Sequence, residues 1–325
     1  MDLDSPESPW VFPSRPERRR ADAPTFGTLS DTVPLAVVTF QFDPYAHLFD
    51  DLTVRWAAIA LAAVIVTALL LAGLLARGVD LRPDDVAFIA IGVVPGAVIG
   101  GRLGYLILHA SYYSSAPGLW LDPSIGGMEL GLAVVGGFLT GSYVASLLGA
   151  SVGDWLHVAA LPVLFTLGVG KLTMVLSGAG QGLPNDADWA TAYLGPGPWG
   201  SLVPALPSDP SQAYEGIATL AILTVLAIVL MLGAFRRRDG RLFFFAIGLW
   251  AIARAVVSTT WRDPVVVGRL NAGGLIAIGI AVGCAVALLV LTVRRPEPLP
   301  EPPDPPAVEV PLEVAWPDPE LRSRS

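Results

Sequence analysis

Seven apolar runs divide this chain of 325 residues. Each is long enough to cross about 30 Å of hydrocarbon at about 1.5 Å of helical rise per residue. They cover residues 54–76, 86–108, 128–149, 155–178, 214–234, 242–261 and 271–293. Gly and Pro interrupt several runs, which membrane helices tolerate where neighbours or cavity water satisfy the freed backbone groups. The expected fold class is all-α: a polytopic membrane protein with seven transmembrane helices. Because 53% of residues are hydrophobic and only 15% charged, length here counts spans, not soluble domains. The lone Cys284 excludes an intrachain disulfide, and neither a CxxC pair nor a zinc-spaced His/Cys cluster occurs. No metal or other cofactor is implied, nor a nucleic-acid partner. The net charge of −8 reflects acidic tails and one acidic loop.

Arginine placement sets the expected orientation, because cytoplasmic loops accumulate Arg and Lys. Arg77 and Arg82 follow the first run, RRRDGR follows the fifth, and Arg294 and Arg295 follow the seventh. The loops after runs two and four hold no Arg or Lys. The N-terminus is therefore expected outside and the C-terminus in the cytoplasm. Arg15, Arg18, Arg19 and Arg20 oppose this, but they lie far from the first span, where the rule is weak. Residues 1–45 read as a disordered tail, 46–293 as the membrane domain, and the Pro-rich acidic stretch 294–325 as a second disordered tail. Residues 1–40 lack a signal-peptide apolar region, so the first span is expected to do the targeting.

Three cations interrupt the apolar runs: Arg102, Arg254 and Lys171, the only lysine in the chain. A charge at bilayer depth costs several kcal/mol, roughly 2.5–3.5 on insertion scales, so such groups usually face a cavity and a counter-charge. Counting along the helices from their inner ends places Arg102 and Lys171 about 24 Å up and Arg254 about 18 Å up. Glu129 and Glu215 begin the third and fifth runs and fall at the outer mouth. Two readings follow: a site for an anionic ligand such as a lipid phosphate, which Arg grips with a fork and Lys with a point charge, or structural pairing of the cations with Glu129 and Glu215. Cys284 lies too deep to meet these charges and reads as a packed hydrophobe. The long loop 179–213, with Trp189, Tyr193 and Trp199, reads as a lid or docking arm or, alternatively, as an interfacial aromatic belt.

Taken in order, short motifs carry a resemblance. Phe42-Asp43-Pro44 with Val54-Arg55-Trp56, Gly100-Gly101-Arg102-Leu103-Gly104-Tyr105, Gly126-Gly127-Met128, Asp209-Pro210-Ser211-Gln212-Ala213-Tyr214-Glu215, and Gly248-Leu249-Trp250 with Arg254 and Trp261-Arg262-Asp263-Pro264 resemble the bacterial prolipoprotein diacylglyceryl transferases over roughly residues 42–293. The stretch GKLTMVLSGAGQG, residues 170–182, corresponds to that family's signature Gly-Arg-hydrophobic-Gly-Asn-Phe-x-Asn-Gly-Glu-x-x-Gly. Gly170, Gly178 and Gly182 keep its register. Lys171 stands for an Arg that binds phosphatidylglycerol, Met174 and Ser177 for Asn, and Ala179 for Glu. Asp209 replaces a His, and Ala57 a Tyr.

The resemblance implies transfer of the diacylglyceryl group from phosphatidylglycerol to the lipobox cysteine of a prolipoprotein, within the bilayer of the bacterial cytoplasmic membrane. It implies Lys171, Arg254, Arg102 and Glu215 as catalytic residues. It implies Lys171, Arg102, Tyr105, Glu129, Gln212, Tyr214 and Arg262 as substrate-binding residues. No general base is evident: Glu129 and Glu215 are candidates, and His109 reads better as a cap or interface residue. Two rival readings remain: a homologue that binds anionic lipid or prolipoprotein without turnover, and a transporter of anionic lipid.

Overall fold

Each of the seven runs forms one helix in the computed structural model, which describes residues 37–48, 52–79, 81–115, 117–120, 122 and 127–293. The spans are α1 (Trp56–Arg77), α2 (Pro83–Leu108), α4 (Leu130–Leu147), α5 (Val152–Thr173), α6 (Ser211–Met231), α7 (Arg241–Val257) and α8 (Ala272–Val293), with the short α3 (Ala110–Ser115) after α2. Single 3-10 turns extend α5 through Met174–Ser177 and α7 through Ser258–Thr260. Helix starts follow local caps. Glu129 accepts from the Gly131 and Leu132 amides at 2.8 and 2.6 Å, which begins α4 two residues later than the apolar run suggests. Ser151 likewise accepts from the Asp154 amide and starts α5 early.

The all-α expectation is corrected in detail, since six short strands accompany the helices. They are β1 (Val38–Phe40), β2 (Tyr45–His47), β3 (Thr53–Arg55), β4 (Thr191–Tyr193), β5 (Val265–Val267) and β6 (Leu270–Asn271), paired β1–β4 in parallel and β2–β3 and β5–β6 antiparallel. β1 lies within the stretch 1–45 expected as a disordered tail and β2 begins at its last residue, while 1–36 and 294–325 are outside the described residues. What ties down residues 38–42 is aromatic: Phe40 stacks on Tyr193 at 4.9 Å and Phe42 meets Trp199 edge-on at 5.4 Å. That chain thus clamps the loop between α5 and α6. Asp43 accepts the Tyr45 amide at 2.9 Å, which holds its carboxyl below the usual range and sets the turn into β2.

Two kinds of packing assemble the spans. α2 and α4 cross backbone to backbone, because a methyl added at Gly136 would run into the Gly96 carbonyl. α5 and α7 meet α6 and α8 through larger side chains, with Leu164, Leu226, Leu242, Ala246, Trp250 and Ala251 fully enclosed. α7 is the most enclosed span and α1, α2 and α8 are open on their outer faces. Apolar side chains such as Leu70, Ile91 and Leu289 point outward there, as a lipid-facing surface requires.

Candidate functional site

Close approach of α5 and α6 places the first ion pair. A Cβ at Gly216 would sit 2.9 Å from the Gly168 carbonyl and 2.8 Å from Leu172, so only glycine lets the helices meet at that level. Lys171, one turn past Gly168, and Glu215, the residue before Gly216, stand next to this contact with Nζ and Oε2 3.0 Å apart. α7 delivers Arg254 against them: Nη1 donates to Glu215 Oε1 at 2.6 Å and Nη2 to Glu129 Oε1 at 3.1 Å. Glu129 is fixed in turn by the α4 amides it caps. Four spans are thus joined through two cations and two carboxylates, of which Glu129, Glu215 and Arg254 are 5% exposed or less.

The arrangement is directional. A cavity of about 290 Å³ opens beside the cluster, lined by Lys171, Arg254, Gln212, Trp261, Arg262 and Asp263 together with Gln181, Ser201 and Leu202 of the loop between α5 and α6. Neither Glu129 nor Glu215 lines it. The cations face the cavity and their carboxylates stand behind, so an anion entering meets N–H donors first. Buried ion pairs seldom stabilise a fold over an apolar substitute, whereas an unpaired buried charge is costly. The pairs therefore compensate Lys171 and Arg254 and fix them in place. Trp261 completes the wall, its ring centre 5.6 Å from Lys171 Nζ and 4.6 Å from Arg254 Cζ.

The structure brings Lys171, Arg254, Glu129, Glu215 and Gln212 together but corrects the expected convergence of three cations. Arg102 turns away from the pair: its guanidinium donates to the carbonyls of Trp120 (2.9 Å), Leu119 (3.1 Å) and Asp122 (3.0 Å). It also lies over the Tyr105 and Tyr113 rings. The reason is the segment after α2, whose Leu119, Trp120 and Asp122 carbonyls stand within hydrogen-bond reach of the guanidinium. Tyr105 goes with it, stacked on His109 at 4.1 Å, and His109 binds the Tyr105 carbonyl through Nδ1, outside the cavity lining.

Tyr214 also points elsewhere, donating its hydroxyl to Asp209 Oδ1 at 3.0 Å. Asp209, in the place of a His, accepts from Asn185 Nδ2 at 2.6 Å as well and thereby anchors the loop between α5 and α6. Arg262 does line the cavity, but its donors also hold that loop, reaching the Gly182 carbonyl, Ser208 Oγ at 2.8 Å and Ser201 Oγ at 3.4 Å. Burial pulls its guanidinium below the ordinary value. Gln212, 1% exposed, donates through Nε2 to the Tyr193 hydroxyl at 3.2 Å. Burial pushes that hydroxyl up to about 12. Cys284 packs against Gly248 at the bottom of the core, as expected of a small hydrophobe.

Sequence reasoning passed over Trp261 as a site residue. The signal in the sequence is proximity: Trp261 lies seven residues past Arg254, just beyond the turn Ser258–Thr260 that ends the span.

Similarity to known proteins agrees with this geometry. A family model described as prolipoprotein diacylglyceryl transferase matches residues 44–291. Proteins named phosphatidylglycerol--prolipoprotein diacylglyceryl transferase are similar along most of their length. That of Geobacter sulfurreducens is 29% identical over 261 residues, 77% of this chain and 96% of the relative. That of Rhodospirillum centenum is 30% identical over 269 residues, 78% and 92%. That of Methylocella silvestris is 28% identical over 284 residues, 81% and 98%. The match takes in all seven spans and every charge of the cluster, and the chain belongs to the prolipoprotein diacylglyceryl transferase family.

Proposed function

We infer that this protein transfers the diacylglyceryl group of phosphatidylglycerol to the lipobox cysteine of a prolipoprotein. The observation that carries the inference is the cavity into which Lys171 and Arg254 face with their carboxylates behind them, inside a seven-span chain of this family. The cysteine sulfur attacks the glycerol carbon that bears the phosphate ester. A C–S thioether forms as the C–O bond breaks, and negative charge develops on the departing phosphate oxygen until it takes up the thiol proton, so that glycerol phosphate leaves with the single charge the diester carried. The thiol proton has the departing phosphate oxygen as its acceptor. Cations poised at that oxygen stabilise the charge as it develops, and the same cations favour thiolate over thiol.

Lys171 and Arg254 take the phosphate in this reading. Glu215, held between them, keeps them side by side, and Glu129 fixes Arg254 to the start of α4. Gln212 and Arg262 border the headgroup. Arg102, Tyr105 and Tyr214 support the outer segments and act on substrate only indirectly. Arginine placement supports an N-terminus outside and a C-terminus in the cytoplasm, so the cavity opens to the outer leaflet of the bacterial cytoplasmic membrane. Residues 46–293 form the transferase body between two tails.

Incubating the purified protein with phosphatidylglycerol and a lipobox peptide tests the activity by mass spectrometry. The expected result is a diacylglyceryl mass gain on cysteine. Lipid binding without any gain would support the rival reading, a homologue that grips lipid without turnover.

A further inference from the structure

We propose that Trp261 is a positioning residue for phosphate recognition: its indole holds Lys171 and Arg254 together as one two-pronged anion site. The proposal rests on the transferase reading for the ligand, and on geometry for the role. Lys171 and Arg254 come from different helices, α5 and α7, and share one carboxylate, Glu215. They are like charges in a low-dielectric setting, where mutual repulsion is strong. Two groups oppose that repulsion from different sides. Glu215 bridges the cations from behind, and the Trp261 ring, 5.6 Å from Lys171 Nζ and 4.6 Å from Arg254 Cζ, meets both at the cavity wall. An indole face is the strongest of the side-chain partners for a cation, and more so where water is excluded.

The ring is also held in place. Gly273 at the start of α8 leaves room for its edge, since a Cβ there would fall 2.9 Å from Trp261 Cζ3. Asn271, which accepts from the Gly274 amide and donates to the Ser258 carbonyl at 3.0 Å, fixes α8 to the turn that carries the ring. Trp250 differs: it touches Arg254 alone, at 5.7 Å, and lies outside the cavity lining. Among the described residues, Trp261 is therefore the one aromatic ring that meets both cations. A bound phosphate would draw on both prongs at once, so their separation sets its affinity.

The test replaces Trp261 by Phe, by Leu, and by tryptophan carrying one to four ring fluorines, which weaken the ring's hold on cations with little change of shape. Affinity of the detergent-solubilised full chain for dihexanoyl phosphatidylglycerol is read by calorimetry, with thermal midpoint alongside. Kd should rise stepwise with fluorine number, reaching about tenfold for the tetrafluoro ring. Phe should stay within about threefold and Leu should lose about tenfold or more, with the midpoint unmoved across the fluorinated set. In turnover with a lipobox peptide, kcat/KM should fall across the fluorinated series at least as steeply as affinity does, because the cations Trp261 positions meet a charge that grows in the transition state. A Kd that stays flat across the fluorinated series overturns the role of Trp261 and leaves the transferase reading standing. Lipid bound by the parent without transfer removes the catalytic reading and leaves this one. A parent that binds no phosphatidylglycerol overturns both.

Discussion

Replacing Glu215 by Gln removes one negative charge from the centre of the cluster while keeping its shape, and leaves Arg254 paired with Glu129 while Lys171 loses the carboxylate it contacts. Glu215 is 1% exposed and holds two ion pairs, at 2.6 and 3.0 Å. Breaking such a buried pair from one side costs about 3–5 kcal/mol, because the other partner stays charged without compensation. At about 2–4 °C per kcal/mol for a domain of this size, the thermal midpoint should fall by roughly 10 °C. Lys171→Met should cost less, about 1–2 kcal/mol, since Glu215 keeps Arg254 as its partner. Combining the two changes removes both the carboxylate and one of the cations left stranded. The double variant should then be more stable than the sum of the single losses predicts, by about 1–3 kcal/mol. Thermal unfolding of the four proteins in one detergent, followed by circular dichroism, measures that difference. Strict additivity, or a Glu215→Gln protein that melts with the parent, would refute the claim that the carboxylate holds the two cations.

Lys171→Ala should lower transfer to a lipobox peptide at least 100-fold, as for loss of a donor to a charge that grows in the transition state, while Lys171→Arg keeps it within about tenfold; initial rates decide. Gly216→Leu should drive α5 from α6, costing about 1–3 kcal/mol from overpacking and much of the activity, read as midpoint and rate together. Arg102→Gln should free residues 119–122 from α2, seen as faster proteolysis there, with phosphatidylglycerol affinity within about threefold because the phosphate site lies elsewhere. Tyr193 ionises at about pH 12 when folded against an ordinary 10. Its contribution to stability is whole below pH 10 and is lost as pH rises towards 12. Unfolding midpoints of the parent and Tyr193→Phe over that range should converge.

Helix number and limits were legible because a bilayer demands long uninterrupted apolar runs, and those of α1, α2 and α8 stand out in the chain. The start of α4 was missed by two residues because Glu129 reads as part of the apolar run until its capping bonds are seen. Depth alone placed Lys171, Arg254, Glu129 and Glu215 at one level and left pairing as one of two readings; the Lys171–Glu215 contact itself came from the structure. Depth did not reveal direction around the helix: Arg102 lies at a similar height, yet the carbonyls of Leu119, Trp120 and Asp122 claim it. The strands at 38–40 and 45–47 were hidden because their stability comes from distant partners, Tyr193 and the Thr53–Arg55 segment, which a polar, Pro-rich context does not announce. The same holds for Asp209, whose place in the motif suggests chemistry and whose contacts, Asn185 and Tyr214, make it an anchor.

The most direct measurement is an experimental density map of the protein with phosphatidylglycerol bound. The phosphate should lie within hydrogen-bond reach of both Lys171 Nζ and the Arg254 guanidinium, with the Trp261 ring against the same two cations. A phosphate seated at Arg102, or on the outer surface with the Lys171–Arg254 cavity empty, would contradict the account.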